Sequence, residues 1–230
     1  MKTVDTKVIA HIESAFNSKF GIPRQSGVVP ELKARIIMEP EFRNPDAFRL
    51  LEGFSHIWLL WHFSKAVRET WSPTVRPPIL GGNTRAGVFA TRSPFRPNPI
   101  GLSCVRLESI ELDTPEGPVL TVSGADLMNG TPILDIKPYV PYADAHPEAS
   151  GGFTSKGWET LSEVVIPPQE QKKVPSELLV GLYGVLRNDP RPQYHEDSDR
   201  LYGMEFGNLE IKFHVSDKVL FVDSIKCLHL

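Results

Sequence analysis

Arginines set among prolines are the first feature of this sequence that could do chemistry. The run Ala90–Ser103 (ATRSPFRPNPIGLS) places Arg92, Arg96 and Asn98 beside Pro94, Pro97 and Pro99. Proline fixes its own φ and restricts the residue before it, so these side chains are largely ordered before a ligand arrives. Guanidinium groups fork onto carboxylates and phosphates, which makes an anionic ligand the natural partner of this loop. Upstream, Gly21-Ile22-Pro23-Arg24-Gln25-Ser26-Gly27 is a turn-rich loop carrying one cation with amide and hydroxyl groups beside it. Downstream, Leu134-Asp135-Ile136-Lys137-Pro138-Tyr139 alternates so that Asp135, Lys137 and Tyr139 share one strand face. Two readings of that face stay open, a surface ion pair and the rim of a site.

Charge distribution sharpens the picture. The net charge of −3 excludes a protein that is basic all over. Yet no acidic residue falls between Glu69 and Glu108, where Arg76, Arg85, Arg92, Arg96 and Arg106 all lie. That segment reads either as a solvated loop with surface arginines or as a place that recognises phosphate or carboxylate.

The elements that must hold these residues are short. The chain has 21 prolines, spread so that long helices do not fit within the first 150 residues. Strands are predicted at Val4–Ile12, Lys33–Met38, Ser55–Phe63, Gly87–Thr91, Gly101–Leu112, Val119–Gly124 and Ile133–Val140. Asp46–Leu51 is expected to make one helical turn. The spacing suggests a mainly β fold, a barrel or a sandwich. After Gly151-Gly152 the texture changes. Helical content is expected over Lys156–Val165, and Ser176–Leu186 should be a helix with Leu178, Leu179, Leu182, Tyr183 and Leu186 on one face and Ser176 as its cap. Leu209–Val215 and Val219–Ile225 flank Ser216-Asp217-Lys218 as a closing hairpin. We therefore expect residues 1–165 to form the first unit and residues 166–230 a smaller α+β domain.

Several chemistries lack their signatures. No Gly-x-Gly-x-x-Gly follows a strand, and there is no P-loop, no zinc-spaced Cys/His cluster and no Gly-x-Ser-x-Gly elbow. His56 and His62 share a strand face and could form a metal pair or serve as site or core histidines; no metal is expected. Cys104 and Cys227 read as reduced packing residues. No run reaches the roughly 18 apolar residues of a membrane span. Met1-Lys2-Thr3-Val4-Asp5 does not read as a secretory signal. A cytoplasmic protein is expected.

TRSPFRPNPIGLS, with PRQSG upstream and LDIKPYVPYAD downstream, closely resembles the TsaA-like family of bacterial TrmO proteins. The resemblance runs in order over residues 4–150, and Asp189-Pro190-Arg191-Pro192 with Arg200-Leu201-Tyr202-Gly203 is similar to the family's C-terminal part. It implies a homodimer, a single-sheet β-barrel instead of a Rossmann sheet, and S-adenosylmethionine as cofactor. The implied reaction methylates N6 of threonylcarbamoyladenosine next to the anticodon of tRNA. Carried over by residue, the cofactor pocket would comprise Pro23, Arg24, Gln25, His62, Phe63, Arg92, Leu102, Leu134, Asp135, Ile136 and Lys137. Arg92 or Arg24 would take the cofactor carboxylate, and Phe63 with Leu102 would line the adenine slot. Asp135 and His62 are the expected proton acceptors, and Arg96, Asn98 and Tyr139 the expected tRNA contacts. A non-catalytic RNA-binding barrel and an S-adenosylmethionine-binding sensor are the alternatives to an enzyme.

Overall fold

The structure, a computed structural model, describes residues 3–66, 70–155, 157–191 and 200–228. In chain order the first half contains β1 (Ala10–Glu13), β2 (Lys33–Met38), β3 (His56–His62), β4 (Thr74–Val75), β5 (Ala86–Gly87), β6 (Ile100–Glu111), β7 (Val119–Ser123), β8 (Thr131–Pro138) and the single turn α1 (Pro141–Asp144). The second half contains β9 (Glu163–Val165), α2 (Pro168–Gln171), α3 (Ser176–Arg187), β10 (Tyr202–Phe206), β11 (Leu209–Ser216) and β12 (Val219–Cys227).

Strands β1-β2-β7-β6-β3-β8 close into one barrel, with every neighbour antiparallel. Closure removes both sheet edges, which an open antiparallel sheet would leave unpaired. Alternation in β3 (HIWLLWH) puts Ile57, Leu59 and Trp61 inside and His56, Trp58, Leu60 and His62 outside. Ile12, Ile36, Leu120, Val122 and Ile133 meet the inward residues of β3 in the barrel core. Outside, Trp58 donates Nε1–H to Asp144 Oδ2 at 3.0 Å, which pins α1 against the barrel wall.

A second sheet, β10-β11-β12-β9, packs with α3 around its own core. Leu182, Val185 and Leu186 of α3 are buried there against Phe206, Ile211 and Phe213. Phe16, Val29 and Leu32, from the segment between β1 and β2, also belong to this core. The loop carrying Pro23 and Arg24 is thus clamped between the two units. Gly21 permits that path: its φ is +92°, and an added Cβ would lie 2.3 Å from the Met204 sulfur.

Five local expectations need correction. The alternating run at Val4–Ile12 forms a strand only from Ala10, its backbone bonds to the neighbouring segments reaching back to Ile9; Val4 is left 88% exposed. Gly87–Thr91 is not a strand. Its available partner, β4, pairs with only Ala86 and Gly87, and Val88–Ala90 then turns as 3-10 helix. Over 157–165 there is no helix; Glu163–Val165 runs parallel to β12, while Lys156 lies outside the described residues. Ser176 is the first helical residue, with Pro175 at the cap, and its hydroxyl donates to Glu177 instead. Cys227 is exposed, whereas Cys104 is partly buried, and both are free thiols. The expected turn at Asp46–Leu51 is present as two short 3-10 segments. The closing hairpin joins β11 to β12 through Asp217 and Lys218 at φ +49° and +63°, as a two-residue loop that follows strand twist requires. Met1, Lys2 and Pro192 lie outside the described residues.

Candidate active site

A cavity of about 710 Å³ opens at one end of the barrel, where three loops converge on the adjoining ends of β3 and β6. Ile22, Pro23, Arg24 and Gln25 come from the clamped loop, and Trp61, His62 and Phe63 from the end of β3. Thr91, Arg92, Phe95, Arg96 and Asn98 come from the proline loop, followed by Gly101 and Leu102 of β6. Asp126 and Met128 enter from the loop after β7.

The proline loop is braced from within. Arg96 Nη1 donates to Thr91 O at 3.0 Å, Ser93 N–H to Thr91 Oγ1 at 3.3 Å, and Phe95 N–H to Ser93 Oγ at 3.2 Å. Phe63 N–H donates to Pro99 O at 2.9 Å, tying the loop to β3. One arginine is left aimed at the opposite wall: Arg92 Nη1 donates to Gln25 Oε1. Arg24 has other commitments. Its guanidinium stacks 3.8 Å over the Trp158 ring and donates to the carbonyls of Asp189 and Arg191, each at 3.2 Å. Burial lowers its pKa and the Asp189 carboxylate opposes that shift; arginine stays charged throughout.

Asp126 belongs to none of the motifs legible in the sequence. Ser103 donates its hydroxyl to Asp126 Oδ1 at 2.6 Å, and Trp61 Nε1–H donates to that same hydroxyl oxygen at 3.0 Å. Burial pushes the Asp126 carboxyl above the usual range; the Ser103 and Ser26 donors and the positive charge of Arg92 pull the other way. A carboxylate made more basic, yet held in one orientation, suits proton abstraction. Its sequence signal was thin: one acid between buried Ala125 and Leu127, directly past a strand end.

Of the expected site residues, Pro23, Arg24, Gln25, His62, Phe63, Arg92, Arg96, Asn98 and Leu102 meet in this cavity. Leu134, Asp135, Ile136, Lys137 and Tyr139 do not line it. Asp135 pairs in register with Leu60, and its carboxylate forms an ion pair with Lys137 Nζ at 2.8 Å and accepts from Ile136 N–H at 2.9 Å. Tyr139 packs edge-on to His56, with centroids 6.1 Å apart, and lies 5.8 Å from the Trp58 ring. Among the described residues no group of His, Cys, Asp or Glu is arranged to hold a metal.

The cavity depends on a close approach. A Cβ on Gly101 would fall 2.2 Å from Trp61 Cε2 and 2.4 Å from Cζ2. The indole is fixed by Ser103 and by Phe63, whose ring centroid is 4.2 Å away, so it has no simple retreat. Gly101→Ala is expected to cost about 1–3 kcal/mol, the range for overpacking a filled site. A fall in the urea midpoint at unchanged m-value checks it.

The tRNA-methyltransferase O N-terminal domain family matches residues 11–145, and the TrmO C-terminal domain family matches residues 162–227. A tRNA (adenine(37)-N6)-methyltransferase of Escherichia coli is 36% identical, over 94% of this chain and 95% of that protein. A putative S-adenosylmethionine-dependent methyltransferase RcsF of Pseudomonas aeruginosa is 39% identical, over 90% of each chain. The crystal structure of TrmO from Pseudomonas aeruginosa superposes with a TM-score of 0.80 at 32% identity, over 98% of this chain and 99% of the other. With both its halves matched in order and its barrel shared with a solved relative, the chain belongs to the TrmO family of tRNA methyltransferases.

Proposed function

We propose that this protein methylates N6 of threonylcarbamoyladenosine next to the anticodon of tRNA, with S-adenosylmethionine as methyl donor. One observation carries the reading: a partly buried, hydrogen-bonded carboxylate, Asp126, and a guanidinium, Arg92, face one cavity of cofactor size. The names of the E. coli and P. aeruginosa relatives support the reaction and the donor.

The donor set fits the cofactor. Arg92 suits a carboxylate, Gln25 and Asp126 suit ammonium or hydroxyl groups, and Ile22, Phe63 and Leu102 supply apolar wall for an adenine. Bound S-adenosylmethionine supplies an electrophilic methyl group. The residues supply placement, with nucleophile and methyl held in line about 3 Å apart. The N6 of the modified base is ureido-like, its lone pair delocalised and its proton in need of an acceptor. Asp126 takes that proton. His62 lines the same cavity, but Asp126 is the one held in a fixed orientation by donors.

A homodimer gives the Leu134–Lys137 stretch its place. The outward row Leu102–Leu60–Asp135 runs unbroken across β6, β3 and β8, and it starts at the cavity mouth. Leu102 is 50% and Ile100 42% exposed on that face. A second copy packed there covers Leu102 and Ile100 and presents its own Leu134–Lys137 to the cavity. Leu60→Asp is expected to yield monomers in sedimentation, at a cofactor affinity lower by about tenfold or more for a pocket left open. Residues 1–165 then carry the chemistry, and residues 166–230 brace the cofactor loop through Asp189 and Arg191. The reaction belongs in the cytoplasm with its tRNA, and no described helix is long and apolar enough to cross a membrane.

Labelled S-adenosylmethionine and bulk tRNA test the reading. Transfer of label to tRNA is the expected result. Calorimetry separates the alternatives: an RNA-binding barrel would take no cofactor, and a sensor would bind it in the presence of tRNA without transfer.

A further inference from the structure

A second, more open cavity of about 1470 Å³ continues from the first and shares Arg24, Gln25, Thr91 and Arg92 with it. Arg76 and Arg85 line its far side, and no carboxylate lines it among the described residues. Among those residues neither arginine has an ion-pair partner. Arg85 is nonetheless held in place, donating Nε–H to Thr74 Oγ1 at 2.7 Å and Nη2–H to Thr74 O at 3.2 Å. At the lip, Trp71 and Phe89 stack on each other with centroids 6.3 Å apart and planes at 26°. They are 52% and 74% exposed. Large aromatic faces left in water beside guanidinium groups without ion-pair partners, that of Arg85 oriented by Thr74, mark a recognition surface.

We propose that this groove is the platform for the unpaired nucleotides flanking the target base. Trp71 and Phe89 stack a neighbouring base, while Arg76 and Arg85 take its phosphates. The inference rests on the reading of the first cavity as the methylation site and adds to it where the rest of the loop lies. Charge and shape select the occupant. Single-stranded RNA brings π faces and phosphates at short, regular spacing, which is what an aromatic pair beside arginine side chains recognises. A paired stem offers no free base faces, and an apolar protein surface would leave the arginines without anionic partners. Continuity with the first cavity lets one extruded base enter it while its neighbour remains on the platform.

Binding of threonylcarbamoylated tRNA to the full chain, measured by anisotropy without cofactor, tests this separately from methyl transfer. Phe89→Ala and Trp71→Ala are expected to weaken tRNA roughly 10- to 100-fold, the range for losing a base stack. Phe89→Tyr should restore binding to within about threefold, since the stacking face survives. Cofactor affinity and kcat at saturating tRNA should stay near wild type. Arg76→Ala should reduce the slope of log K against log salt by about 0.7 for one phosphate on a single strand. Unchanged tRNA affinity in both alanine variants overturns the proposal, and so does a changed oligomeric state, which would mean that a second copy covers the lip. Wild-type protein that binds tRNA in a Phe89-dependent way but transfers no methyl overturns the catalytic reading and supports the groove.

Discussion

Asp126→Asn is expected to lower methyl transfer by roughly 10²- to 10⁴-fold, the usual contribution of a positioned general base. The amide keeps the size of the side chain and an oxygen for the Ser103 hydroxyl, so the cavity keeps its shape. Cofactor affinity should therefore stay within about threefold, with the loss falling on kcat. Stability provides the control. Burial raises the Asp126 pKa in the folded protein. Between the ordinary carboxylate value and that raised value, the folded state keeps a proton that the unfolded chain has released. Stability contributed by this group consequently falls as pH rises through that window. Removing the charge leaves the urea midpoint at neutral pH equal or higher, so lost turnover is not unfolding. Single-turnover rates at saturating cofactor and tRNA check the prediction; a rate within threefold of wild type, about, would leave His62 as the acceptor.

Arg92→Ala combines two effects, and their signs can be worked out. Loss of a charge-assisted contact to the cofactor carboxylate is expected to weaken S-adenosylmethionine by about 10- to 100-fold. Arg92 also helps hold the Asp126 proton affinity down. Without it the carboxyl shifts further up. Activity needs the ionised form, so turnover rises with pH, and the acidic limb of the profile should move to higher pH in the variant. Calorimetry for affinity and a pH–rate profile for the limb read the two effects separately. If cofactor affinity is retained and the tRNA salt slope flattens instead, Arg92 is a phosphate contact.

Legibility in the sequence followed the physics of each element. Lys33–Met38 appears as predicted because its short, β-branched apolar run stops before Pro40 and both neighbours run alongside it. Val4–Ile12 alternates, but ladder length is set by partners that lie far away in the chain. Parity places His56 and His62 on one face of β3, the family resemblance places His62 and Phe63 in the pocket, and the proline loop singles out Arg92 by composition. Three features lacked local signals. Asp126 gains its character from Ser103 and Trp61, which come from other strands. Arg24 is turned toward Trp158 and the Asp189 and Arg191 carbonyls, over 130 residues downstream. Asp135 sits on the face that alternation indicated, yet the register of β3 against β8 directs it away from this chain's own cavity.

All of these expectations depend on where one methyl group goes. Purified protein, labelled S-adenosylmethionine and tRNA from cells with and without the threonylcarbamoyl modification, followed by nucleoside mass spectrometry, test that directly. The account predicts label on N6 of the threonylcarbamoyladenosine beside the anticodon and none in tRNA lacking the modification. Label on another nucleoside, or equal labelling of both tRNA pools, would contradict it.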